Sequence, residues 1–249
     1  MSRHAMKKIK YLLEFAFLYV IFAAANVCPY RVVMAFGDAV GTLGYWGWKR
    51  RRDVALINLR FCFPEKDDGW HRRVALASFR NFAKSMLEFM RLPRIHGSNV
   101  DRYHHIENVG SFDAALAAGK GGVLFTGHFG SWELTGVGIK LRGYPLYFLV
   151  GEQHNKYVDR LMNKLRAGAG IGIIHMGVAA KGVFKVLKDN GFVAMLSDQD
   201  AGPEGVVVEF LGRKASTPKG PAAFVGLSLI HISEPTRLLS ISYAVFCLK

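Results

Sequence analysis

The densest chemical signal in this 249-residue chain is Gly121–Leu134, GGVLFTGHFGSWEL. A short apolar run (Val123, Leu124, Phe125) ends at Thr126-Gly127, His128 follows, and Glu133 opens an amphipathic stretch. A histidine at a strand-to-helix turn can take a proton from a hydroxyl as a general base, and a nearby carboxylate can hold its ring. Two residues five apart within one helix lie about 140° from each other at 3.6 residues per turn, so they do not pair. His128 stands ahead of the helix, in Gly127-His-Phe-Gly130, and its ring can fold back over the first turn. Glu133 is then expected to accept from one imidazole nitrogen and leave the other as the base. Gly127 and Gly130 leave room for a substrate. The first helix amides can meet an oxyanion or phosphate. Turn histidines and acids at helix starts also serve plain packing and the helix dipole, so this segment alone does not fix a role.

A second cluster is Leu196–Pro218, LSDQDAGPEGVVVEFLGRKASTP. Asp198, Gln199 and Asp200 follow an expected strand, where open α/β sheets place ligand groups. Gly202-Pro203 turns the chain, and Val206–Phe210 returns as a strand. Gly212–Pro218 reads as a loop whose Arg213, Lys214, Ser216 and Thr217 suit phosphate. In isolation, the acidic triplet reads equally as a polar turn and Arg213-Lys214 as a solvated hairpin.

The elements that must position these residues follow from periodicity. From about Asp101, short apolar runs alternate with helical patterns. Strands are expected at His105–Val109, Val123–Thr126, Pro145–Val150, Ile171–His175, Phe192–Leu196 and Val206–Phe210. Helices are expected at Ser111–Ala118 (capped by Ser111), Ser131–Leu141, Asn155–Ala167 and Ala179–Asp189. This is an α/β pattern, with a mostly parallel central sheet flanked by helices. Upstream, Arg50–Phe61 and Trp70–Met90 have amphipathic helical spacing.

The formal charge of +14 favours anionic partners: a membrane surface, a phosphorylated lipid, an acidic carrier protein or nucleic acid. No nucleic-acid-binding motif is visible. Cys28, Cys62 and Cys247 form no CxxC, so no disulfide framework or zinc site is expected. Lysines at 7, 8 and 10 precede an apolar run, Tyr11–Val27, broken only by Glu14 and Asn26. That is close to the shortest spanning helix, and it reads as an uncleaved hydrophobic helical anchor. Both flanks are basic, the second through Lys49–Arg52, so the positive-inside rule conflicts with itself for a spanning segment. A helix lying in the cytoplasmic leaflet removes the conflict, and Pro29–Trp48 can join it at the interface.

Thr126–Glu133, Asp198–Gly202 and Phe210–Thr217, in this order, closely resemble three segments of the bacterial lipid A biosynthesis (lauroyl/myristoyl) acyltransferases, within the lysophospholipid acyltransferase-like superfamily. These are Thr-x-His-Phe-Gly-x-Trp-Glu, Asp-Gln-Asp-x-Gly and Phe-x-Gly-x-x-Ala-x-Thr. Asn58-Leu59 with Cys62-Phe63-Pro64, and His154-Asn155 with Arg166, resemble further family segments. Gly151-Glu152-Gln153 departs from an arginine-containing triplet. The resemblance implies a glycerolipid acyltransferase-like fold with His128 and Glu133 as catalytic residues. It also implies that Arg166, Asn155, Asp198, Gln199, Arg213 and Thr217 bind substrate. No metal or cofactor is implied, the donor being acyl-acyl carrier protein or acyl-CoA. The implied acceptor is an anionic glycolipid, a lipid A precursor, at the bacterial inner membrane with the active site facing the cytoplasm. Transfer would be direct, with amides or Arg166 stabilising the oxyanion, and no Gly-x-Ser-x-Gly elbow is present. Two alternatives stand beside it: an acyltransferase for a lysophospholipid or other glycolipid, and a non-catalytic basic membrane scaffold.

The expected organisation is an anchor with interfacial helices at 1–48 and an acyltransferase domain at 49–226. Residues 227–249 resemble translated sequencing adapter in two ordered blocks, Leu227–Arg237 and Ile241–Leu248. No role is expected of His231, Glu234 or Cys247, and the native chain is expected to continue differently beyond about Gly226.

Overall fold

The computed structural model describes residues 3–106 and 109–228. All but the first two residues of the adapter-like stretch lie outside the described residues. The first part of the chain forms four helices, α1 (Arg3–Val27), α2 (Tyr30–Gly47), α3 (Lys49–Cys62) and α4 (Asp68–Met90). Asp67 caps α4 by accepting the Trp70 amide at 2.7 Å. Helix α2 runs antiparallel along α4, with Val33 buried beside Leu87 and the Tyr45 ring edge-on to Phe79. Gly41 makes this close crossing possible, since a Cβ there would lie 2.4 Å from the Arg80 Cα. Val33, Gly37, Gly41 and Tyr45 recur every fourth residue and form the buried stripe of α2. Val32, Phe36, Val40, Leu43 and Trp46 lie outside it, exposed.

The rest is an α/β unit: α5 (Gly110–Ala117), β1 (Gly122–Thr126), α6 (Trp132–Leu141), β2 (Leu146–Val150), α7 (Lys156–Gly168), β3 (Gly172–His175), α8 (Ala179–Lys188) and β4 (Phe192–Leu196). The four strands form one parallel sheet in the order β1-β4-β2-β3. Parallel pairing needs helical crossovers, and these cover both faces. On one face, Leu134 and Val137 of α6 and Leu165 of α7 pack with Leu146, Phe148, Phe192 and Ala194. On the other, Val183, Val186 and Leu187 of α8 pack with Ile174, Val193 and Met195. Alternate β4 residues thus serve opposite cores, which is why its sequence is apolar without interruption.

A hairpin of β5 (Val206–Phe210) and β6 (Arg213–Thr217) follows, then α9 (Gly220–Ser228). The expected Gly212–Pro218 loop is therefore mostly a strand, paired from Phe210↔Arg213 to Val206↔Thr217. Leu211 and Gly212, both at positive φ, make the tight turn that extends the pairing. The strand expected at His105–Val109 is absent at His105 and Ile106, which pass irregularly from the 3-10 turn at Val100–Arg102 toward α5. Glu107 and Asn108 lie outside the described residues. Ser111 sits inside α5, which begins at Gly110 with no side-chain cap.

Candidate active site

The site is set by register. Strands β1 and β4 are hydrogen-bonded neighbours, pairing Gly122↔Phe192 through Thr126↔Leu196. The ladder continues one step beyond, where the Ser197 amide donates to the Thr126 carbonyl at 3.0 Å. Continuing the same offset brings His128 opposite Asp198 at the C-terminal ends of the two strands. Imidazole Nδ1 lies 2.7 Å from Asp198 Oδ1, and the His128 backbone N–H donates to Oδ2 at 2.8 Å. A carboxylate holding both the ring and the main chain of one histidine fixes its position and its tautomer. The ring also packs edge-on against Trp132, centroids 4.9 Å apart. Nε2 is left without a hydrogen-bond partner among the described residues, and the side chain is one-third exposed. Gly127 is required by this closeness: a Cβ there would lie 2.6 Å from the Phe129 ring and 3.0 Å from Asp198 Oδ2.

Burial pushes the Asp198 carboxyl up, but the hydrogen bonds from the His128 ring and backbone outweigh it. The net effect holds it below the usual carboxylate range. Asp198 is therefore the ionised partner at neutral pH, free to stabilise an imidazolium when Nε2 takes a proton.

Glu133 does something else. The bond it was expected to accept from the imidazole goes to Asp198, because the β1–β4 register supplies a carboxylate directly opposite His128. Glu133, in the first turn of α6, points inward and is 4% exposed. Its carboxylate takes the Arg166 guanidinium, with Nη2 2.5 Å from Oε1 and Nε 3.1 Å from Oε2. Arg166, in the last turn of α7, also donates to Asn163 Oδ1 at 3.0 Å and stacks over Phe89 of α4 at 5.4 Å. This buried pair ties α6, α7 and α4 together. Arg166 is buried, and each of its three guanidinium nitrogens bonds Glu133 or Asn163, whereas the first amides of α6 are left unbonded within the helix by helix geometry.

The other sequence-selected residues separate. Asn155 is buried and caps α7, accepting from the Tyr157 amide at 3.0 Å. Its Nδ2 donates to the Tyr11 carbonyl at 2.9 Å and to Glu14 Oε2 at 3.0 Å, so it faces α1. Arg213 reaches α3, donating to the Phe61 carbonyl at 2.8 Å and stacking 4.5 Å over the Phe61 ring. Gln199 is exposed in the turn beside Asp198, and Thr217 closes β6. The hairpin base stays near the dyad, since the Ala201 amide donates to the Ser216 carbonyl at 3.1 Å. Among the described residues, no cluster of three or more His, Cys, Asp or Glu side chains is arranged to hold a metal ion.

Comparison with known proteins gives the family. A family model described as bacterial lipid A biosynthesis acyltransferase matches residues 3–232. The chain is 28% identical over 158 residues to a phosphatidylinositol mannoside acyltransferase of Mycobacterium tuberculosis, covering 59% of this chain and 48% of that protein. It is 24% identical over 179 residues to the lipid A biosynthesis palmitoleoyltransferase of Escherichia coli, covering 71% and 57%. With the lauroyltransferase of the same organism it shares 28% over 203 residues, covering 77% and 63%. The chain spans about half the length of the curated relatives it matches, and somewhat more of the lauroyltransferase.

Proposed function

The chain belongs to the bacterial lipid A biosynthesis acyltransferase family, and from that premise we propose that it moves a fatty acyl chain from an acyl thioester to a hydroxyl of a lipid A precursor at a membrane. His128 Nε2 takes the proton of the acceptor hydroxyl as its oxygen attacks the thioester carbonyl. Asp198 holds Nδ1–H and offsets the positive charge that develops on the ring. The α6 amides meet the oxyanion of the tetrahedral intermediate. The carbon–sulfur bond then breaks, and the thiol of the carrier protein or coenzyme A leaves with the proton from Nε2. No covalent acyl-enzyme is needed. Glu133 and Arg166 hold the helix that presents the amides.

The observation that carries this reading is a histidine clamped by a carboxylate at the C-terminal end of a parallel sheet, its Nε2 unpartnered among the described residues. Gln199, beside Asp198, and Thr217, at the hairpin base, are the groups offered at this end to an anionic acceptor and to the donor. A second acceptor, another anionic glycolipid, is favoured by the likeness to phosphatidylinositol mannoside acyltransferases. The test is competition. A lipid A precursor and a mannosylated phosphatidylinositol are offered together with radiolabelled acyl thioester, and label on the lipid A precursor is expected to dominate. Label confined to the mannolipid moves the assignment to the second acceptor, and label on neither contradicts both.

A further inference from the structure

We propose that α1 does not cross the membrane but lies along the catalytic domain and enters a single leaflet of an anionic phospholipid bilayer. The inference deepens the membrane-bound reading above and rests on it. By length and composition, Ala5–Val27 is able to span a membrane. The contacts of α1 argue against its doing so. One stripe of the helix is docked on the domain over most of its length. The Tyr11 carbonyl and Glu14 accept from Asn155, the Phe15 ring packs on Tyr157 of α7, Asn26 donates to the Met90 carbonyl at 2.9 Å, and Arg91 donates to the Ala25 and Cys28 carbonyls. From Tyr11 to Asn26 is ~22 Å of helix at 1.5 Å per residue. The hydrocarbon core is only about 30 Å thick. A spanning α1 would drag Asn155, the α7 terminus and the end of α4 deep into lipid.

The two polar breaks in the apolar run are these docking points. Glu14 lies within the apolar run, about one turn from its start, where a spanning helix would carry its carboxylate into the membrane. Here it faces Asn155 and Lys10 instead. The outward residues Ile9, Leu13, Phe17 and Val20 are 45%, 67%, 70% and 66% exposed and form an apolar stripe facing away from the domain. Lys7, Lys8 and Lys10 are exposed at the start of the helix, and Arg31, Arg50 and Arg51 beyond it, where they can meet lipid phosphates. An apolar stripe with basic flanks on a helix laid against protein fits the interface of one leaflet.

The test uses the full chain bound to vesicles of phosphatidylethanolamine and phosphatidylglycerol. Nitroxides are attached at single cysteines replacing Ile9, Leu13, Phe17 and Val20, none of which packs in the core, with the native cysteines changed to serine. Depth is read from the contrast between oxygen and a water-soluble paramagnetic reagent. The expected result is a similar, shallow depth of about 5–10 Å at all four positions. A protease site placed before Met1 and one at Glu65-Lys66 are expected to be cut from the same side. A depth profile that peaks near Phe17, with the two sites on opposite sides, overturns the proposal. So does a stripe that stays in water. No readout depends on turnover, so acyl transfer to a glycolipid stands or falls separately.

Discussion

Replacing Asp198 with asparagine separates two accounts of how His128 is held. The carboxylate uses both oxygens, Oδ2 for the His128 backbone N–H and Oδ1 for Nδ1. Asparagine has one oxygen. If that oxygen keeps the backbone N–H, the amide NH2 faces Nδ1 and moves the ring proton to Nε2, where it blocks the base. If it keeps Nδ1–H, two donors meet at the backbone and the turn shifts. In either case the developing imidazolium loses its countercharge. Hydrogen bonds to charged groups contribute about 1.5–3 kcal/mol, which is about 10- to 150-fold in rate. The wrong tautomer adds to that, so kcat in Asp198→Asn is expected to fall ~100-fold or more with KM little changed. The assay is single-turnover acyl transfer from a labelled thioester, with the ring tautomer read from 15N shifts. Glu133→Gln is the control: it removes a buried partner of Arg166, so its main effect is on stability. Activity of Asp198→Asn within threefold of the parent, together with a large kcat loss in a fully folded Glu133→Gln, would refute the dyad and restore Glu133 as the orienting carboxylate.

Breaking the Glu133–Arg166 pair from either side leaves an uncompensated buried charge, so Glu133→Gln and Arg166→Leu are each expected to cost about 3–5 kcal/mol in urea unfolding; a cost below 1 kcal/mol would show that the pair is not a structural tie. Gly127→Ala pushes a methyl group into the Phe129 ring and Asp198, so a loss of about 1–3 kcal/mol together with reduced turnover is expected, and unchanged values for both would contradict the geometry. Asn155→Ala removes the α7 cap and is expected to lower stability by about 1 kcal/mol, with hydrogen exchange accelerated in the first turn of α7; unaltered exchange there would count against the cap. The Asp198 carboxyl is held below its ordinary value, so its contribution to stability is fully present above the unfolded value and is lost only as pH falls through the lower folded one. A carboxyl 13C titration should therefore find the Asp198 midpoint below that of the same aspartate in the unfolded chain, and a midpoint at or above it would contradict the geometry.

Much of the fold was legible because its local signals agree. The apolar runs at 123–126, 145–150, 171–175 and 192–196 became the four parallel strands within a residue or two, and the helices between them appeared as expected. Phe192–Leu196 shows why: a strand buried on both faces needs apolar residues at every position. Lysine and serine obscured β6, because the polar faces of a hairpin resemble a loop until its partner is known. His128, Glu133 and Asp198 were singled out by type and position, whereas their pairing was not. Placing His128 just ahead of the helix, with its ring folded back over the first turn, pointed to Glu133 as its partner. The true neighbour lies seventy residues away and is fixed by the β1–β4 register, which local periodicity does not encode. Asn155 and Arg213 were selected as ligand groups, but they hold α1 and α3 to the domain. Their polarity marked a contact between helical layers as readily as it would mark a ligand.

Acyl transfer through His128 is tested by weighing the acceptor lipid after incubation with acyl thioester and either the parent chain or its His128→Ala form. A gain of one acyl chain is expected with the parent, and a rate lower by ~10²–10⁴-fold in the variant at unchanged thermal stability. The same gain at the same rate from His128→Ala would remove the histidine from the chemistry.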